Sequence, residues 1–427
     1  MVIFGHDAIL GILDRAVRSD HLHHALLFRG PEGVGKFSTA IELARRLCCD
    51  GPDPKPCGSC RHCLRLGRPF PQHPDVIIFR DLRQPIPVHL HQIKTMCEEV
   101  DGPLHEDGDH APSIWTETLQ SLSEDGFLRG YAVSPVVGDR LVGITIDSEK
   151  KITRAIVEKA TQNPLRYHIL KQISGFIESG GYNGTLKIEQ IREMQSMIAY
   201  QPFESRIKII IIDDAHNMLA PAQNCLLKTL EEPPGEALLL LITSQPHMLL
   251  PTIRSRCQTV PFHSLSRQTI RDALKSHFGL AEVMAEQVAG QSEGSMNLAV
   301  SKDWPAFFRY SETMDELFDA SEQRREQVEW SLEVLGRILP DDDRIETRAR
   351  LADFTRYLRM LLERIITRET DGGSRRILPG GRALGTGVLI ELLDGVAAIR
   401  NADRFHIDTR LHLHKLLLET VGKQDLT

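Results

Sequence analysis

The chain has 427 residues, of which 41% are hydrophobic and 26% are charged, and its formal net charge is −7. This composition is ordinary for a globular protein, and the length suggests about three domains. The negative net charge excludes a protein that coats nucleic acid with a generally basic surface. The longest apolar runs, 209–212 and 237–242, are far shorter than the roughly 18 residues that cross a bilayer. The first residues lack the basic and apolar segments of a secretory signal, so we expect a cytoplasmic protein without membrane contact. Its eight cysteines are then considered as metal ligands, catalysts or core thiols before disulfides.

Five apolar runs predict the strands of one sheet. They cover residues 24–29, 75–80, 207–213, 237–244 and 258–262. The runs are continuous rather than alternating, which is typical of strands that are buried on both faces of a parallel sheet flanked by helices. We therefore predict an α/β domain with a parallel five-stranded sheet over residues 1–262.

A glycine-rich loop follows the first predicted strand. The segment Gly30-Pro-Glu-Gly33-Val-Gly35-Lys36 precedes a helical pattern, which is the context of a phosphate-binding loop. Its glycines allow backbone N–H groups to approach phosphate oxygens, and Lys36 can reach the outer phosphates. The next position usually carries the Ser or Thr that binds magnesium, whereas this chain has Phe37. The loop predicts a site for ATP that lacks the usual hydroxyl ligand of Mg²⁺. Whether ATP binds there stays open.

Five cysteines lie within sixteen residues, at Cys48, Cys49, Cys57, Cys60 and Cys63. A double C-x-x-C is typical of a tetrahedral zinc site. The fourth ligand is either Cys48 or Cys49. Cys48 extends the apolar face of the preceding helix and Cys49 follows where that helix ends, so we predict the set Cys49, Cys57, Cys60 and Cys63. This set leaves no place for water, so the zinc is expected to be structural, and His62 is expected to be a solvated loop residue.

Residues from about 81 to 185 interrupt the alternation of strands and helices. Segments 131–137 and 140–146 predict two strands around a tight turn, 149–162 predicts a helix, and 100–111 predicts an exposed loop. We interpret the region as an inserted subdomain and assign it no role. Its histidines either bind a metal or lie in a hydrated loop, and the second is preferred; they are His89, His91, His105 and His110.

Acidic residues close the third predicted strand. Asp213 is placed to hold magnesium or its water shell, and Asp214 follows it. Hydrolysing proteins with this pattern have a glutamate at the second position, which activates the attacking water. Asp214 is one methylene shorter, and a positioning error of about 1 Å can cost roughly 100-fold in rate.

Helical patterns replace the strands from about residue 264. Short helices are predicted over 266–278, 281–290 and 297–300, and the chain after 303 is helical apart from a glycine- and arginine-rich break at 372–387. The sequence therefore predicts an all-α segment over 263–303 and a second all-α domain over 304–427.

These motifs together resemble the bacterial clamp-loader subunits of the AAA+ class. Two further stretches carry the resemblance, NCLLKTLEEPP at 224–234 and LPTIRSRC at 250–257. The resemblance implies that residues 1–262 form an AAA+ P-loop domain with a zinc module at 49–63. It also implies that 263–303 form a helical lid and that 304–427 form the collar of a five-subunit ring. The family usually has one more residue between its first and second cysteines than this chain has.

Two branches of the family are possible, the gamma/tau motor subunits and the delta-prime subunits of DNA polymerase III. Three departures from the motor pattern favour the delta-prime branch: Phe37, Asp214, and Asn297 where a motor subunit has arginine. The family arginine that reaches the ATP of a neighbouring subunit is retained as Arg256. The resemblance also implies that Ser244, at the end of the fourth strand, contacts nucleotide.

The resemblance implies a subunit that joins gamma/tau and delta subunits in a pentameric ring. That ring loads the sliding clamp onto primed DNA, so the sequence predicts no polymerase activity of the chain's own and little or no ATPase activity. Two alternatives are an ATP-hydrolysing gamma/tau-type motor subunit and a stand-alone AAA+ protein that remodels DNA or protein.

Overall fold

The computed structural model describes residues 3–68, 70–81, 86–89, 111–134, 138–146, 156–157, 160, 164–178, 181–182, 184–233, 235–320, 332, 334–336, 338, 350–362, 386–402 and 412–417. They belong to two compact units, Met1–Lys302 and Asp303–Thr427. Within these residues, no helix combines the length and the apolar character that crossing a membrane requires.

The first unit alternates strands and helices. Its first half contains α1 (Asp7–Arg18), β1 (Ala25–Arg29), α2 (Lys36–Cys48), α3 (Arg61–Leu66), β2 (Val76–Asp81), β3 (Ile86–His89), α4 (Ala111–Glu124), β4 (Leu128–Ser134) and β5 (Gly138–Ile146). Its second half contains α5 (Pro164–Glu178), β6 (Gly181–Tyr182), α6 (Ile188–Ile198), β7 (Lys208–Ile212), α7 (Ala220–Glu231), β8 (Ala237–Thr243), α8 (Pro251–Arg256), β9 (Gln258–Pro261), α9 (Arg267–Ser276), α10 (Glu282–Gln291) and α11 (Met296–Ser301).

The main sheet has six parallel strands in the order β6-β2-β7-β8-β1-β9. The five predicted strands are confirmed. The sixth, β6, was not predicted, because two residues are too few to form a recognisable pattern. Successive residues of β7 enter opposite apolar clusters: Ile209 and Ile211 pack on one face of the sheet, and Ile210 and Ile212 on the other. This burial of both faces explains the continuous apolar runs.

The insertion forms a second sheet with the antiparallel order β3-β5-β4. The two predicted strands are confirmed, whereas β3, α4 and α5 were missed. Apolar side chains of α4 and α5, including Leu119, Leu122 and Ile169, pack with Ile144 and Ile146 of β5. His89 lies in β3, and the other three histidines, the predicted loop at 100–110 and most of 149–162 lie outside the described residues.

Three short helices, α9 to α11, complete the first unit and match the predicted ones within a few residues. Side-chain caps start two of them: Ser266 Oγ accepts a hydrogen bond from Thr269 N at 3.0 Å, and Ser295 Oγ accepts one from Leu298 N at 3.2 Å. The contact-based boundary at 302/303 places these helices in the same unit as the sheet. The further boundary at residue 262 stays a prediction.

The described residues of the second unit are helical from residue 304 onwards. They include α12 (Trp304–Ala320), residues 350–362, α13 (Thr386–Ala402) and residues 412–417. The buried core of this unit contains Met314, Phe354, Tyr357, Leu358, Leu392, Val396 and Leu413. Tyr357 combines a fully buried ring with a hydroxyl that donates to Asp315 Oδ1 at 3.0 Å.

Candidate functional site

The glycine-rich loop joins the end of β1 to the start of α2. Lys36 Nζ turns back into the loop and donates to the carbonyl oxygens of Gly30 and Pro31 at 2.7 and 2.5 Å. These bonds use two of the three ammonium hydrogens, so they fix the loop and leave one N–H for a ligand. Burial lowers the pKa of Lys36, and the nearby carboxylates of Asp213, Asp214 and Glu32 oppose that shift.

Helix α11 lies directly against this loop. Asn297 N donates to the carbonyl oxygen of Gly33 at 3.2 Å. A Cβ atom placed on Gly33 would lie 2.1 Å from Ser295 Oγ and 2.7 Å from Asn297 Cβ. The structure therefore places Asn297 in contact with the glycine-rich loop.

Replacing Gly33 with alanine is expected to destabilise the protein by about 2–4 kcal/mol. Gly33 has a φ of +72°, which strains any L side chain, and the new methyl group would also overlap α11. Gly235→Ala is a matched control, because Gly235 has a φ of +71° but no atom lies within 4 Å of the point where its Cβ would be. It should cost only about 1–2 kcal/mol. Equal losses in urea unfolding would show that the contact with α11 adds nothing.

Asp213 follows β7 and faces a cation from the neighbouring strand. Arg80, near the end of β2, places its Nε atom 3.7 Å from Asp213 Oδ2. Burial raises the pKa of Asp213 to about 6, and the charge of Arg80 opposes this shift while that of Asp214 adds to it. Asp214 adopts the left-handed conformation with a φ of +49°, and its backbone N donates to Asp213 Oδ1 at 3.2 Å.

Arg80 also covers Phe37, the residue at the expected hydroxyl position. Its Cζ atom lies 4.5 Å from the centroid of the Phe37 ring. The sequence reasoning missed Arg80. The available signal was an arginine at the end of a buried run, since the carboxyl ends of parallel strands meet at one edge of a sheet.

Ser244 lies next to the loop, and its contact with nucleotide stays a prediction. Its hydroxyl donates to Glu32 Oε1 at 3.1 Å, so the end of β8 is linked to the glycine-rich loop. The preceding residue, Thr243, is fully buried, and its Oγ1 accepts from Gln245 N at 3.0 Å and lies 3.2 Å from His216 Nδ1. These contacts form a polar layer beside the candidate nucleotide site.

Arg256 is the last residue of α8. Its guanidinium pairs with Glu231 Oε1 at 2.5 Å and donates to the carbonyl oxygen of Thr252 at 3.1 Å. The side chain is 35% exposed. The sequence reasoning did not identify Glu231, at the end of α7, as its partner.

The structure brings together the four predicted zinc ligands. One Sγ atom from each of Cys49, Cys57, Cys60 and Cys63 lies within 4.8 Å of the others. The Sγ atoms of Cys49 and Cys60 are 3.9 Å apart, close to the roughly 3.8 Å edge of a tetrahedron of thiolates around zinc. The donor set therefore fits Zn²⁺.

Backbone donors surround these sulfurs. Cys57 N points at Cys49 Sγ, and Cys60 N points at Cys57 Sγ, at 3.4 and 3.3 Å. The N–H groups of Ser59 and Cys60 lower the pKa of the Cys57 thiol to about 6. Cys48 instead lies in the apolar core, where burial raises the pKa of its thiol to about 12.

The expectation that His62 is solvated is wrong. His62 is 1% exposed, because it lies on the inner side of α3, and its Nδ1 lies 2.7 Å from His73 Nε2. Asp75 N donates to His73 Nδ1 at 3.0 Å, so His73 Nε2 carries the proton that it donates to His62. This pair ties the cysteine-bearing helix to the residues that precede β2.

Asp75 continues this connection. Its fully buried carboxylate accepts hydrogen bonds from the backbone N–H groups of Phe203, Glu204 and Ser205 at 2.6–2.8 Å. Burial alone would raise the pKa of Asp75, but these donors outweigh it and lower the pKa. The start of β2 is thus fixed to both the cysteine cluster and the segment before β7.

Known proteins match the part of the chain that forms this site. A family model described as "DNA polymerase III, delta subunit" matches residues 5–266, which include the glycine-rich loop, the cysteine cluster and Arg256. The chain belongs to this family. The predicted resemblance to clamp-loader subunits of DNA polymerase III is therefore confirmed.

Relatives from both branches of the family match the chain. The delta-prime subunit of DNA polymerase III from Bacillus subtilis is 26% identical over 266 residues, covering 62% of this chain and 50% of that protein. The gamma/tau subunit from Mycobacterium tuberculosis is 25% identical over 273 residues, covering 64% of this chain and 30% of that protein. The match thus spans between about a third and a half of these relatives.

Among solved structures, a gamma-subunit-related protein of DNA polymerase III from Thermotoga maritima is 14% identical to this chain. The alignment covers 96% of this chain and 99% of that protein, with a TM-score of 0.36.

Proposed function

We propose that this member of the clamp-loader family acts as a delta-prime-type subunit. It supplies Arg256 to the ATP of a neighbouring gamma/tau-type subunit while the ring loads a sliding clamp onto primed DNA. Its partners are gamma/tau and delta subunits in a pentamer, which it joins through the helical collar at 304–427.

The position of Arg256 in the sheet order carries this proposal. Strands β1 and β9 are parallel neighbours, and Leu26 pairs with Gln258 near their first residues. The phosphate loop follows the last residue of β1, whereas Arg256 precedes the first residue of β9. At about 3.3 Å per residue, a five-residue strand separates them by roughly 16 Å. This separation supports the proposal that Arg256 serves a nucleotide on an adjoining subunit and not the one at its own loop.

The chain's own site supports the same assignment. Phe37 supplies no oxygen to a metal, and the carboxylate of Asp213 is paired with the guanidinium of Arg80. Asp214 is shorter than the glutamate that activates water, and Asn297 adds no positive charge from α11. Such a site lacks the groups that would position the metal and the attacking water for hydrolysis. We therefore assign the chain little or no ATPase activity. The zinc at Cys49, Cys57, Cys60 and Cys63 is structural in this proposal.

A motor-subunit function is the second candidate, and the arrangement of Lys36 favours it. Lys36 is retained at the end of the glycine-rich loop, and the N–H that its two bonds to loop carbonyls leave over can reach a phosphate, as a hydrolysing site also requires.

ATP turnover by the purified chain separates the two functions. A delta-prime-type subunit is expected to show no turnover above that of its Lys36→Ala variant, alone or with primed DNA. It is also expected to elute with gamma/tau and delta subunits in size-exclusion chromatography. ATP turnover that disappears in Lys36→Ala would favour the motor function instead. Failure of the chain to join the complex would favour a stand-alone remodelling protein.

A further inference from the structure

We propose that Arg80 takes the place of magnesium at this phosphate loop, so that the loop binds a nucleoside di- or triphosphate without a divalent cation. The inference deepens the proposed function, on which it rests for the nature of the site. It concerns what the chain's own loop binds, and not what Arg256 does at the neighbouring subunit.

The first half of the usual magnesium site is missing. The residue after the loop lysine is Phe37, in the first turn of α2. Mg²⁺ demands oxygen ligands at about 2.0–2.1 Å in near-octahedral geometry, and an aromatic ring offers none. The guanidinium of Arg80 instead lies over this ring, with Cζ 4.5 Å from the centroid, in a cation–π contact.

The second half of the site is already engaged. Asp213 is the carboxylate placed to hold the metal, and its Oδ2 lies 3.7 Å from Arg80 Nε. The two side chains are only 12% and 14% exposed. A magnesium ion at this place would have to compete with a buried guanidinium for the carboxylate of Asp213. The residues present therefore do not fit Mg²⁺, whereas one cation already lies between the two positions that would hold it.

The sheet explains why Arg80 reaches this place. Strands β2 and β7 are parallel neighbours, and Phe79 pairs with Ile212 near their last residues. Arg80 and Asp213 are the next residues on the two strands, at the sheet edge where α2 begins. This juxtaposition brings the charges of Arg80 from β2 and Lys36 from α2 to the same carboxylate, Asp213.

Two features suit Arg80 to phosphate. Its Nε lies 3.7 Å from Asp213 Oδ2 and has no hydrogen-bond partner among the described residues, so an ion pair and not a hydrogen bond holds the guanidinium there. A guanidinium presents five N–H groups in a planar fork that matches phosphate oxygens, and it keeps its charge at any physiological pH. Together with the remaining N–H of Lys36, it supplies charge-assisted hydrogen bonds to phosphate oxygens that magnesium would otherwise contact.

Nucleotide binding with and without magnesium tests the inference on the full chain. ATP and ADP are titrated calorimetrically in excess MgCl₂ and in excess EDTA. The two dissociation constants are expected to differ by less than about threefold. A loss of about tenfold or more in EDTA would overturn the inference, because it would show that the metal is used. Absence of binding by ATP, ADP and inorganic pyrophosphate in both buffers would overturn it as well.

Variants then assign the effect to Arg80. Arg80→Ala is expected to weaken ADP binding in EDTA by about tenfold or more, and the double variant Phe37→Thr with Arg80→Ala should become magnesium-dependent. Arg192→Ala, an exposed arginine on α6, is the control and should bind as the wild type does. Thermal unfolding of each variant checks that it is folded. Binding by Arg80→Ala in EDTA at wild-type strength would contradict the proposal.

These outcomes are independent of the role of Arg256. If magnesium is required here, ATP hydrolysis at the neighbouring subunit still measures that role separately. If Arg256 has no effect in the complex, the binding measurements on the isolated chain keep their meaning.

Discussion

We expect ATP hydrolysis to fall in a complex of this chain with gamma/tau and delta subunits when the Arg256→Ala variant replaces the wild-type chain. At the site that Arg256 reaches, the rate should decrease by about 10³-fold or more, since an arginine finger stabilises the charge that develops on the transferred phosphoryl group. The measured quantity is DNA-stimulated phosphate release per complex, with the wild-type complex as reference. Hydrolysis at sites served by other subunits sets the residual rate.

Helix α8 offers a matched control for this experiment. Arg254 is exposed and lies two residues before Arg256 on the same helix, so Arg254→Ala removes an equal charge from α8 on a different side of the helix. The Arg254→Ala variant should leave ATP hydrolysis unchanged if only the side chain at position 256 reaches the ATP of the neighbouring subunit. Arg256→Lys keeps the charge but loses the planar fork, so it should recover only part of the activity. An Arg256→Ala complex that assembles and hydrolyses at the wild-type rate would refute the assignment.

The second large effect is expected from loss of zinc. The reduced wild-type chain should contain about one equivalent of zinc, and Cys60→Ser should lose it together with several kcal/mol of stability. Cys60 supplies a sulfur to the cluster and also caps α3, because its Sγ accepts from Cys63 N. A helix of six residues is too short to be stable alone, so it depends on the metal and on its packing.

Cys48 provides the control that also decides between the two candidate ligands. Cys48→Ser should keep its zinc, because Cys48 lies in the apolar core and outside the four-sulfur cluster. Metal content is measured by atomic absorption, and stability is measured by urea unfolding with and without a chelator. Less than about half an equivalent of zinc in the reduced wild type would argue against the site.

The main sheet could be predicted because its strands are buried on both faces. Residues such as Ile210 and Ile211 enter different apolar clusters, so neither position tolerates a polar side chain and the run is easy to recognise. The glycine-rich loop and the cysteine spacing are equally local signals. Each depends on residues close together in the chain, and the structure places each as expected.

The features that were missed depend on contacts between distant segments. The role of Arg80 arises from its pairing with Asp213, 133 positions later in the chain, which no local pattern reports. The burial of His62 depends on His73, on the far side of a turn. Helices α4 and α5 pack on a small sheet whose short strands, such as β3, give weak patterns.

Strand β2 connects the cysteine cluster to the site of Arg80 and Asp213. His73 and Asp75 fix its beginning to the cysteine-bearing helix, and Arg80 lies near its end. Because side chains alternate along a strand, sliding β2 by a single residue would exchange the faces of Phe79 and Arg80. The guanidinium would then leave Asp213, and a phenylalanine ring would take its place. The hydrogen bonds of His73 and Asp75 therefore fix the register of β2 at its beginning, and that register keeps the Arg80 guanidinium beside Asp213 at its end.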